Sequence, residues 1–197
     1  MFQPYFKFLF GTYANHLSFF MNSYKGRPYH SEKHIEKMLE YFEKYKNTLH
    51  EPTAVLLAIL YHDIVYDSQA ERGMNEKMSN WHLQSIRCDL GFNEQFVETA
   101  GKMILATIDH KSFSDDCNFF LDCDLSILSE STEDVQKYDD AIRQEYAWVT
   151  DDVYTEGRKN VLNKFLGRDT IYVSPAFVDR NEQAKENLRF LLKKYIK

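Results

Sequence analysis

The chain has 197 residues and a formal charge of −6, long enough to bury a sizeable core in one domain. The negative balance excludes a surface built for nucleic acid polymers, whose affinity rests on Lys and Arg meeting phosphates. Only 7 Gly and 4 Pro accompany 15 Phe and 13 Tyr. That is too few turn formers for an all-β protein, and it predicts an all-α, single-domain fold.

The N-terminal stretch Met1–Phe10 is apolar but carries no basic leader or small-residue cleavage site, and no run reaches transmembrane length. Cys88, Cys117 and Cys123 form no CxxC pair. These features predict a cytoplasmic protein with buried thiols and no membrane partner. The aromatic first segment reads as helical to about Tyr24, weakened at Gly11. A Gly- and Pro-containing loop carries Arg27, Tyr29 and His30. Ser31 is placed to cap the next helix, whose inward stripe is Ile35, Met38, Leu39, Phe42 and Tyr45. His34 heads that stripe.

Glu51–Asp67 follows, with Pro52 suited to a first turn and an unbroken apolar run from Ala54 to Tyr61. A helix apolar on all sides belongs at the centre of a core. This one is expected to end in His62, Asp63 and Asp67, where the dipole disfavours carboxylates and no Lys or Arg stands nearby. A buried carboxylate needs a partner or a metal ion.

A helix from about Arg72 to Asp89, stopped at Gly91, turns Leu83, Ile86 and Leu90 inward. Asn75 and Glu76 at its polar head fit either a cap or a pocket wall, and their spacing alone favours capping. The helix from Asn93 to His110 ends its stripe in Thr107 and His110. Within Asp116–Leu128, helical spacing puts Asp124 inside the apolar stripe and Asp122 on the polar side. Amphipathic helices follow at Thr132–Thr150 and Asp152–Leu166, with Arg143 and Arg158 expected to pair with Glu145 or Asp139. An extended connector, Thr170–Pro175, leads to a last helix from about Arg180, whose Lys193, Lys194 and Lys197 complement its dipole. About eight helices around a central buried one result.

Four of these helices end buried stripes in ligand-type groups: His34, His62 with Asp63, Asp124, and Thr107 with His110. Gathered at one end of a bundle, the two imidazoles and two carboxylates of His34, His62, Asp63 and Asp124 make a mixed set suited to Mn, Fe, Co, Ni or Zn. An ion held there would leave positions for water and a phosphate oxygen.

The order His34, His62-Asp63, Asp124 on a helical chain resembles the HD-domain superfamily of metal-dependent phosphohydrolases. It is similar above all to a bacterial branch of small HD phosphohydrolases. The shared runs are Arg27-x-Tyr29-His30 with His34, and His62-Asp63-x-x-Tyr66-Asp67. Asn75-Glu76-x-x-Ser79, Thr107-x-x-His110, Leu121-Asp122-x-Asp124-Leu125, Arg143-x-Glu145-Tyr146 and Gly157-Arg158 follow. The likeness covers about Tyr24 to Asn187 and departs at Lys185, where the branch tends to have Arg.

The resemblance implies a metal-binding core over about 24–128, with helices of 132–197 packed on it. It implies a divalent ion (Mn, Fe, Co, Ni, Zn or Mg) on His34, His62, Asp63 and Asp124. Asp67 is then the candidate base or water orienter. His110 and Glu76 are further acid–base candidates, and Arg27, His30 and Asn75 candidate substrate contacts. The expected activity is hydrolysis of a small phosphorylated compound such as a nucleotide. The alternative is a sensor that binds metal and phosphate ligand without turnover. A homo-oligomer is left open.

Overall fold

The helices predicted from periodicity form, and no strand occurs among the described residues. The computed structural model describes residues 1–90 and 93–196, so the expected stop at Gly91 and the dipole role of Lys197 lie outside them. Among the described residues there are ten α-helices. The aromatic first segment is two of them, α1 (Gln3–Phe10) and α2 (Ala14–Tyr24). Gly11 separates them: its φ of +66° suits a residue without a Cβ, and its N–H bonds Lys7 O at 3.0 Å.

The chain divides into two compact units, Met1–Leu121 and a second beginning at Asp122. In the first, α3 (Glu32–Tyr45) turns Ile35, Met38, Leu39 and Phe42 inward. Ser31 occupies its N-cap position, but its side chain makes no capping bond. α4 (Pro52–Tyr61) is the central helix, with every residue from Ala54 to Tyr61 no more than 3 % exposed. Each buried Leu or Ile contributes roughly 1.5–3 kcal/mol before chain entropy is charged. α4 packs on α3, on α5 (Met74–Ser85) and on α6 (Glu94–Ala106).

α5 and α6 approach closely at Gly101, where an added Cβ would meet the side-chain ends of Asn80 and Gln84. α7 (Asp115–Asp124) begins in this unit. Its buried Asp116 accepts the N–H of His50 at 3.0 Å and of Glu51 at 2.6 Å, fixing the entry to α4.

In the second unit, α8 (Thr132–Glu145) and α9 (Asp151–Leu166) pack with α10 (Asn181–Tyr195). Asp139 is fully buried and accepts from Arg158 Nε at 2.8 Å, Tyr195 Oη at 2.5 Å and Lys194 Nζ at 3.0 Å. The expected Arg158–Asp139 pairing therefore forms, and Lys194 does more than offset a dipole. Arg143 instead bonds the carbonyls of Tyr146 and Val149 and the Asp151 carboxylate. Cys117 and Cys123 are buried as expected, whereas Cys88 is exposed, in a short 3-10 turn after α5.

Candidate metal centre

The helix expected to reach Asp67 stops at Tyr61, with His62 as its C-cap. Nothing between Tyr61 and Asp67 is Gly or Pro, so the last carbonyls need donors other than a glycine cap. They find them one by one. Ala58 O takes the His62 N–H at 2.9 Å, and Ile59 O lies 3.0 Å from His62 Nδ1. Leu60 O takes the Tyr24 hydroxyl at 3.0 Å, and Tyr61 O takes the Ile64 N–H at 3.2 Å. Arg27 Nη1 donates to Asp63 O at 2.5 Å and Nη2 to Ile64 O at 3.1 Å. The Ser79 hydroxyl donates to Val65 O at 3.2 Å and accepts the Val65 N–H at 3.1 Å. Asn75 closes the series by bonding both the N–H and the C=O of Asp67 at 3.0 Å.

That accounting fixes the chemistry of His62. A carbonyl can only accept, so Nδ1 carries the proton that faces Ile59. In the neutral ring Nε2 is then a lone pair, the arrangement found when a carbonyl orients a metal-ligating histidine. His62 Nε2 lies 3.3 Å from His34 Nε2 and 3.1 Å from Asp63 Oδ2. Both histidines are buried. One proton on Nε2 cannot serve an imidazole and a carboxylate together, but one cation can. Bonds of about 2.1 Å at right angles would set ligand atoms about 3 Å apart, the separation found here.

Asp124 ends α7, one turn beyond Phe120, whose ring meets the His62 ring edge-on at 5.7 Å. Asp124, the fourth ligand expected from the sequence, belongs to the second unit. The donor set fits a divalent ion of the Mn-to-Zn series. Burial alone would push the Asp63 carboxyl up. Positive charge on the His62, His30 and His34 rings, when they are protonated, outweighs it and holds Asp63 below the usual carboxylate range.

Other expectations meet a different geometry. Asp122 is the buried acid and Asp124 the half-buried one, the reverse of the helical-wheel reading. Asp122 Oδ2 accepts the N–H groups of Val173 at 3.0 Å and Ser174 at 2.7 Å, so its polar face is covered by the connector before α10. Asn75 caps no helix and holds the Asp67 loop. Asp67 is exposed on that loop rather than one helical turn past His62, and its Oδ1 accepts the Gln69 N–H at 2.8 Å. Glu76 follows Asn75 on α5, half-buried.

His30 stacks on Tyr66 with centroids 4.1 Å apart, and its ring centroid is 6.4 Å from that of His34. It therefore borders the ligand cluster. His110 lies past the end of α6, in a left-handed conformation with φ of +51°, not on the helix face expected for it. The turn before it is tied to the start of α5 by an Arg72–Asp109 ion pair. Arg27 spends both terminal nitrogens on backbone carbonyls, including His30 O at 3.4 Å. Asp116 went unnoticed as a buried anchor in the sequence, because its partners lie 66 and 65 residues away.

Comparison of the chain with protein-family models, with curated proteins and with solved structures finds no match. No helix among the described residues is long and apolar enough to cross a membrane.

Proposed function

We propose that this all-α protein is a metal-dependent phosphohydrolase of the HD type, acting on a small phosphorylated compound. What supports the reading is the placing of His62 Nε2 within 3.3 Å of His34 Nε2 and 3.1 Å of Asp63 Oδ2. A divalent ion held there supplies two things: a lower pKa for bound water and neutralisation of phosphate charge. The chain's own residues do the rest. His62 is kept in the ligating tautomer by Ile59 O, and Asp63 contributes negative charge beside it. His30, bordering the cluster, is the group to hold a phosphate oxygen or protonate the leaving oxygen. Asp67 keeps Oδ2 for orienting water, since Gln69 takes Oδ1.

The test is phosphate release from a panel of nucleotides and phosphoesters, with Mn²⁺, Co²⁺, Ni²⁺, Mg²⁺ or Zn²⁺ added after chelation. Metal-dependent release that Asp124→Ala abolishes is the expected result. Stoichiometric metal binding with no release from any compound would instead favour a phosphate-ligand sensor. Failure to bind metal would overturn both readings.

A further inference from the structure

The His62–Tyr66 turn presents two of the proposed ligands yet has no Gly, Pro or helical ladder of its own to hold it. Its outward carbonyls, Asp63 O and Ile64 O, are both served by one side chain from the preceding loop, Arg27. That guanidinium lies over the Tyr24 ring at 5.0 Å and over the Tyr66 ring at 5.7 Å. Tyr66 in turn stacks on His30. Tyr24, buried at the end of α2, donates its hydroxyl to Leu60 O within α4. Arg27 thus joins the end of α2, the carbonyls beside the ligands and the ring that packs on His30.

We infer that Arg27 is a positioning residue that sets the metal affinity of the site, rather than a residue that binds substrate phosphate as its place in the sequence motif suggests. The inference rests on the metal reading proposed above. A planar fork is needed to reach two successive carbonyls while lying against aromatic faces, and a lysine ammonium cannot do both. Without the clamp the two carbonyls lose their donors, and the turn is free to carry Asp63 and the His62 ring away from His34. An ion then has to order the turn as it binds, and affinity falls.

Mn²⁺ or Co²⁺ alone, with no phosphate compound, is titrated into chelator-treated full chain by calorimetry. Wild type, Arg27→Lys and Tyr66→Leu are compared, with circular dichroism and thermal melts of the metal-free proteins. Arg27→Lys is expected to keep its helix content and bind metal about 10–100-fold more weakly, the usual cost of losing an outer-shell partner. Tyr66→Leu, which removes one wall of the clamp, is expected to weaken binding in the same direction. The double variant should weaken it by less than the product of the two single effects.

Folded Arg27→Lys with wild-type metal affinity overturns the inference, and a raised KM alone in that variant would return Arg27 to a substrate role. If Arg27→Lys fails to fold, Tyr66→Leu decides, and unchanged affinity there overturns the inference equally. Wild-type protein that binds no metal would instead remove the underlying metal reading.

Discussion

At the scale of single residues, the decisive group is the His62 ring, because the Ile59 carbonyl settles which nitrogen bears its proton. Replacing His62 or Asp124 with Ala is expected to remove metal binding, read as metal content after dialysis against chelator. Full occupancy in both variants would refute the ligand set. Asp67→Asn should keep metal affinity, since no ligand role falls to it, while lowering phosphate release by about 10²–10⁴-fold if it orients water. Unchanged release would end its catalytic candidacy. The nearness of His34 and His62 was legible in the sequence, because polar groups at the heads of apolar stripes are conspicuous. The contrast between Asp122 and Asp124 was not. Spacing assigns a residue to a helix face, but what covers that face depends on Val173 and Ser174, 51 and 52 residues further on. Arg27 meets the same limit: a guanidinium looks alike in sequence whether it meets phosphate or the carbonyls it bonds here.

At the scale of elements, α4 shows both the reach and the limit of periodicity. Its apolar run foretold a helix buried on all sides, yet its end could not be placed. The stop is made by side chains from elsewhere (Tyr24, Arg27, Ser79 and Asn75), with no local Gly or Pro to mark it. The split at Gly11, by contrast, left a visible sign. In the second unit, the fully buried Asp139 is held by α9 and α10 together. Asp139→Ala would strand the Arg158 charge in a buried setting and is expected to cost roughly 3–5 kcal/mol, measured by urea unfolding. A loss under about 1 kcal/mol would mean that the pair is replaceable by packing alone.

At the scale of the whole molecule, an ion that binds only the folded chain should stabilise it. At about a hundred times its dissociation constant the gain is about 2.7 kcal/mol, or roughly 5–10 °C in melting temperature for a chain of this length. Chelation should reverse the shift, and an unmoved melt would speak against tight binding by the native state. A further dependence comes from Gly101 on α6, a helix that carries none of the proposed ligands. α5 presents Asn75 and Ser79 to the loop after His62, and Asn80 and Gln84 lie where α6 comes nearest. A methyl group at position 101 favours helix by about 1 kcal/mol on propensity, yet it must displace Asn80. The atoms in the way are the ends of the Asn80 and Gln84 side chains, and turning them aside loosens packing at the rear of the helix whose front holds the loop. Gly101→Ala is expected to melt near the wild-type temperature while binding metal more weakly, so that thermal stability and ion affinity part company.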